Sequence, residues 1–161
     1  MKKPLLILLA LVLLAGFLCA CEGGDKNSLE DAGISIDLPK GMKNASGQLG
    51  YQGYDLVYVG SEIAVFGSKG DRNAEGVAEN MTLEDCARNA MESAAVDAEL
   101  ITAEKGYVYF AYNAESGFNK FRNVTAFYEN GDAFWMIQIS SKDKAYDEAA
   151  VMAILDSVKF N

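Results

Sequence analysis

The stretch around Asn130-Gly131 constrains this chain more than any other part of its sequence. Both residues tolerate positive φ, and Asn-Gly between alternating residues is the strongest short-range hairpin signal. A two-residue turn there sets Phe127 opposite Phe134, Thr125 opposite Met136 and Asn123 opposite Gln138. The other side pairs Ala126 with Trp135 and Val124 with Ile137. Both sides are apolar over most of their length. A sheet with one wet face alternates apolar and polar residues cleanly, so these strands are expected to be covered on both faces.

The covers can be read on either side of the hairpin. Thr82-Leu83-Glu84-Asp85 opens a helix, with Thr82 as cap and the acid three positions on bonding back. Leu83, Cys86, Ala87, Ala90 and Met91 then follow at the spacing of one apolar face. A second helix is expected over about 144–156, burying Tyr146, Ala149, Ala150, Ala153, Ile154 and Ser157. Alternation predicts strands at 34–38, 54–59, 62–66, 98–103 and 107–112, besides the two of the hairpin. Ser68 to Asn80 reads as a long polar loop, and the tail Val158-Lys159-Phe160 as an extended segment rejoining the sheet.

The first residues behave differently. Met1-Lys2-Lys3 is positive, Pro4 to Leu18 is almost unbroken apolar sequence, and polar residues begin at Glu22. A positive start, an apolar stretch and small residues before a cut define a secretory signal. Leu18-Cys19-Ala20-Cys21 resembles the lipobox of bacterial lipoproteins. The resemblance implies cleavage after Ala20 and a diacylglycerol on Cys21, which places the chain on the outer face of a bacterial cell membrane. The alternative is an uncleaved spanning helix, since about 20 apolar residues suffice to cross a bilayer. The expected organisation is a signal peptide over 1–20, a lipidated cysteine and polar tether over 21–32, and one domain over 33–161.

Composition narrows the partners. Without Lys2 and Lys3, twelve basic residues face twenty-three acidic ones, a net charge of −11. Such a domain is repelled by nucleic acid and by anionic headgroups. Cys86 is the one cysteine inside the expected domain, so no disulfide forms within it and stability must come from the core.

The order Ile34-Ser35-Ile36-Asp37-Leu38-Pro39, a hairpin, Thr82-Leu83-Glu84-Asp85, a meander with Asp132-Ala133-Phe134-Trp135 and the end Ile154-Leu155-Asp156-Ser157-Val158-Lys159-Phe160 resembles the PsbP-like domain of small bacterial lipoproteins. The resemblance implies an α+β fold, a mainly antiparallel sheet covered by helices on both faces as an α/β/α sandwich. It implies a binding or assembly module rather than an enzyme. No functional residue of the family carries over.

The chemistry-bearing residues are few. The chain has no histidine, which removes the commonest general base and transition-metal ligand. Cys86 sits on an apolar helix face with no base to activate it and reads as a core residue. Asp71, Asn73 and Glu75, ahead of Gly76, resemble the start of a calcium loop, but the closing acid would fall on Thr82. Asn123 and Gln138, read as facing amides, could bind a polar ligand or satisfy each other. Tyr107 and Tyr109, with Lys105, could form an exposed aromatic stripe if Val108 and Phe110 face the core.

The reading these residues support is a membrane-anchored, non-enzymatic module binding a protein or a cell-envelope polymer, with no cofactor. A carboxylate-dependent hydrolase such as a glycoside hydrolase is the alternative, since two converging acids suffice for that reaction. A small solute-binding lipoprotein is a third, for which the chain is short.

Overall fold

In a computed structural model, which describes residues 29–74, 77, 78 and 80–161, nine strands and two α-helices follow one another. The strands are β1 Ile34–Ser35, β2 Lys43–Asn44, β3 Leu56–Val59, β4 Ile63–Asp71, β5 Ile101–Thr102, β6 Val108–Ser116, β7 Asn119–Asn130, β8 Ala133–Lys142 and β9 Lys159–Phe160. The helices are α1 Leu83–Ser93, between β4 and β5, and α2 Glu148–Asp156, after β8. The fold is α+β: seven strands form one antiparallel sheet in the order β2-β3-β4-β8-β7-β6-β5.

The central hairpin forms two residues out of the expected register. Asn130 pairs with Ala133, so the turn is Gly131-Asp132. Gly131 has φ +58° and Asp132 does not have positive φ, the φ pattern of a II′ turn with glycine first. The Arg72 amide donates to the Asp132 carbonyl at 2.8 Å, which ties this turn to the end of β4. A slip of two keeps every side chain on its expected face, because the side-chain period is two. It does change partners: Thr125 now faces Gln138, and Asn123 faces Ser140.

Alternate residues of these strands feed different clusters. Val124, Ala126, Tyr128, Trp135, Ile137 and Ile139 pack with Ile34, Leu56 and the α2 residues Val151, Ile154 and Leu155. Phe127, Phe134 and Met136 pack with Val108, Phe110 and the α1 residues Cys86, Ala87 and Ala90. A third cluster joins Ala45, Val57, Ala64 and Phe66.

α1 begins as its sequence predicts. Thr82 Oγ1 accepts from the Asp85 amide at 3.1 Å, and Asp85 Oδ2 accepts from the Thr82 amide at 2.9 Å. The Thr82 amide and the Thr82 hydroxyl, which also donates to Asp85 Oδ2 at 2.8 Å, hold the Asp85 carboxyl below its usual range. Thr82→Ala should cost about 1 kcal/mol, read as a lower urea midpoint with unchanged m.

Other boundaries differ from expectation. β4 runs on through Ser68–Asp71, which read as loop, because β8 supplies ladder partners as far as Ala133. β1 and β5 keep only two residues of the segments expected there, and β3 starts at Leu56 rather than Tyr54. β9 does not rejoin the main sheet: Phe160 pairs with Ile34 and Lys159 with Ser35 in a separate two-stranded sheet. α2 starts at Glu148 behind a 3-10 turn at Asp143–Ala145, with Asp147 as its cap. It buries Val151, Ile154 and Leu155 and leaves Ala149, Ala150 and Ala153 exposed. The larger apolar side chains remove more surface from water, so they choose the face.

Candidate functional site

Two places gather polar side chains. The first is a cleft of about 310 Å³ at the sheet end carrying the β7–β8 turn, where the Glu104–Gly106 turn, β7, the end of α2 and the tail meet. The last carbonyls of a helix lack intrahelical partners, and here side chains supply them. Lys105 Nζ donates to the Asp156 carbonyl at 2.8 Å, and the Tyr128 hydroxyl donates to the Leu155 carbonyl at 2.9 Å. A cation at this pole also opposes the helix dipole. The Tyr107 hydroxyl donates to Asp156 Oδ1 at 2.8 Å. The rings of Tyr107 and Tyr128 lie 4.9 Å apart, and Phe160 stands 6.0 Å beyond Tyr128.

Burial pushes both phenols upward, and for Tyr107 the bond to Asp156 adds to it. Both stay protonated at neutral pH and act as donors. Two acids border this cleft, and each is engaged: Asp156 with Tyr107 and Lys105, Glu129 with Arg72. The Arg72 guanidinium also lies 4.5 Å over the Phe134 ring. The cleft can grip a side-chain-sized group, but its carboxylates are already committed to structural partners.

The second place lies across the sheet, on the side that packs with α1. Asn123, Thr125, Gln138 and Ser140 form a two-by-two block on β7 and β8, all buried. Tyr112 of β6 pairs with Asn123, and Phe66 of β4 pairs with Gln138. Tyr54 leans over this block from the loop before β3, its ring 5.0 Å from that of Phe66. Burial raises the Tyr54 phenol to about 12, with Tyr112 as a lesser cause. Burial also raises Tyr112, and hydrogen bonds from the Asn123 and Thr125 side chains pull it partly back. Three oxygens here are buried without a hydrogen-bond partner: Tyr54 Oη, Asn123 Oδ1 and Gln138 Oε1. Each such group costs roughly 1–3 kcal/mol in an unfilled interior.

The structure therefore separates the residues that the sequence singled out. Asn123 and Gln138 are not directly opposed but sit diagonally in one block. Tyr107 and Tyr109 do not form an exposed stripe: Tyr107 is 3 % exposed and Tyr109 half-buried, because α2 and the tail cover that side. Asp71 Oδ1 accepts from the Asn73 amide at 2.8 Å, an Asx turn ending β4. Glu75 and Cys21 lie outside the described residues. Among the described residues no three potential ligand side chains cluster to hold a metal ion. Cys86 is buried, and burial, with Asp85 next, raises its thiol.

Sequence reasoning passed over Tyr54, Tyr112 and Asp156. The first two had a signal: Asn123, Thr125, Gln138 and Ser140 put four polar residues on alternate positions of otherwise apolar strands, so something polar had to face them.

No family model matches the chain, and no curated protein matches it. Among solved structures, it is similar to the solution structure of cyanobacterial PsbP (CyanoP) from Synechocystis sp. PCC 6803, with a TM-score of 0.56 and 14% identity over 89% of this chain and 99% of that one. It is also similar to a crystal structure from Bacteroides thetaiotaomicron, with a TM-score of 0.52 and 10% identity. That match covers 81% of this chain and 46% of the other. The fold of this chain is PsbP-like.

Proposed function

We propose that this protein, PsbP-like in fold and with its two helices covering opposite faces of the sheet, is a non-enzymatic extracytoplasmic module. In this reading lipid on Cys21 holds it at the outer face of a bacterial membrane, where it binds a protein or an envelope component.

One observation carries the reading: the two ends of the sheet differ. Leu29, where the chain arrives from Cys21, packs on the cluster of Tyr128, Trp135 and α2. Seven residues separate Cys21 from Leu29, eight Cα steps with a reach of at most about 28 Å. Phe118 occupies the β6–β7 turn, ten residues before Tyr128, or roughly 34 Å at 3.4 Å per residue. It is fully exposed, at the end of the sheet opposite the β7–β8 turn. A bare aromatic ring on a hairpin tip costs solubility and makes sense as an anchor for a partner. The engaged carboxylates of the cleft favour this reading over a carboxylate-dependent hydrolase.

Two measurements test it. Cys21→Ser should move the protein from the membrane to the soluble fraction and abolish incorporation of labelled fatty acid; undiminished labelling removes the anchor. A photo-crosslinking residue at position 118 should give one discrete adduct in intact envelopes, absent when the same residue replaces exposed Lys159. Identical patterns at both positions, or none at either, count against a binding tip.

A further inference from the structure

We infer that the open edge of β6, from Ala111 to Ser116, binds an extended basic segment of a partner protein as an added strand. The inference deepens the binding role proposed above and rests on it only for the existence of a protein partner.

Backbone geometry makes the edge. β5 pairs with Val108 and Tyr109 and goes no further along β6. The Ala103 amide donates to the Tyr107 carbonyl at 2.8 Å, so Tyr107 and every second residue after it aim their backbone groups away from β7. The hairpin agrees. Ser116 and Asn119 close the two-residue turn Gly117-Phe118, which makes Ser116, Ala114 and Tyr112 the residues bonded to β7. The amides and carbonyls of Ala111, Asn113 and Glu115 therefore point outward over about 14 Å. They meet no hydrogen-bond partner among the described residues. Asn113 and Glu115 are exposed, and Ala111 is partly so. The chain leaving α1 does not take the place: Val96, Ala98 and Leu100 pack on the α1 side of the sheet, and the ladder begins only at Ile101.

Proteins blunt such edges with lysine, proline, a bulge or a very short strand. Residues 111–116 contain no lysine and no proline, and the β6–β7 register is unbroken from Val108 to Ser116. The opposite edge strand, β2, is two residues long and carries Lys43.

The surroundings name the occupant. An extended backbone is what offers donors and acceptors at this alternate spacing. Leu49, Ile101 and Phe118 are the large apolar side chains exposed among the described residues. Two of them bracket the edge: Ile101 is the β5 residue next to the open stretch, and Phe118 stands in the turn that ends it. A strand added in line with β5 runs from one to the other. The charge nearby is negative. Exposed Asp97 and Glu99 precede β5. Burial first, and then Glu148, Tyr146, Asp156 and Glu99, raise the phenol of Tyr109, the residue paired with Ile101. Such a field steers a basic segment to the edge. A second copy of this chain would bring the same surplus of acids and be repelled.

The test uses the full chain in a neutral detergent. The probe is an octapeptide of alternating lysine and threonine with an isoleucine at each end. Hydrogen exchange followed by NMR should slow saturably at the amides of Ala111, Asn113 and Glu115. It should not change at Tyr112 and Ala114, which β7 already holds. Asn113→Pro deletes one outward donor at an edge position that tolerates proline, and should weaken the peptide about tenfold. A second measurement leaves the protein untouched: of two peptides N-methylated on one or the other set of alternate amides, one should lose binding. Replacing the lysines with glutamate should weaken binding about tenfold at low salt. Unchanged exchange at the three amides overturns the inference, as does parent-like binding by both N-methylated peptides or by the glutamate peptide. Protection that needs no peptide and grows with protein concentration gives the edge to a second copy and overturns it too. A discrete adduct at position 118 without any peptide effect sinks the edge and leaves the binding tip standing.

Discussion

Gly67→Val should lower the unfolding free energy by about 3 kcal/mol, the upper end of what overpacking a closed core costs. Gly67 lies mid-way along β4, paired with Leu56 on one side and Ile137 on the other. A Cβ built on it would fall 2.8 Å from Leu56 Cγ and 3.2 Å from Ile137 Cδ1, with Leu56 Cδ1 closer still. Leu56 and Ile137 are both fully buried, so neither can swing into solvent to make room. The glycine is there because Leu56 lies across the strand, the close approach for which a strand gives up a side chain. Gly70, three residues on, is the control: its nearest atom would be Phe134 O at 3.8 Å. Gly70→Ala should be neutral or stabilise by up to about 1 kcal/mol through the unfolded chain. Urea melts of both variants decide it, and equal midpoints would show that Leu56 repacks freely.

Legibility from sequence followed the strength of the local signal. The capping box at Thr82 was readable because its chemistry is closed within four residues. The faces of β7 and β8 were readable because alternation survives a register error of two. The register itself was not, since Asn-Gly marks where a turn falls but not whether glycine stands first or second in it. The Asp132 carbonyl bonding to the Arg72 amide selects the observed turn, and that contact spans sixty residues of chain. The same limit hid the sites. Tyr54 and Asp156 matter through what the fold lays beside them, and neither the Tyr107–Asp156 bond nor the tilt of Tyr54 against Phe66 leaves a local mark. Tyr107 illustrates the reverse error: strand alternation gave it a side of the sheet, but only the path of the tail shows that this side is covered.

That covering makes the domain alkali-labile. Burial raises the phenols of Tyr54, Tyr107, Tyr109, Tyr112 and Tyr128, and Tyr54 is raised from 10.0 to about 12. A folded-state value above the unfolded one means that, past pH 10, the native chain keeps protons that the unfolded chain has lost. Stability then falls with pH at up to about 1.4 kcal/mol per pH unit for each such tyrosine. The contribution is fully present below pH 10 and disappears as pH rises through the folded value. Tyr54 alone therefore removes about 2–3 kcal/mol between pH 10 and 12. Tyr128, tied to the Leu155 carbonyl, adds its own slope over the same range. With several tyrosines acting together, unfolding should be abrupt. Tyrosinate absorbance near 295 nm and far-UV circular dichroism should rise and fall in one coincident step above pH 10. Replacing Tyr54 with phenylalanine should move that step to higher pH, because a neutral ring has no proton to lose. A gradual absorbance titration with the secondary structure intact would show that these phenols ionise in place, and that the interior around them is wetter than the packing of Tyr54, Phe66 and Tyr128 requires.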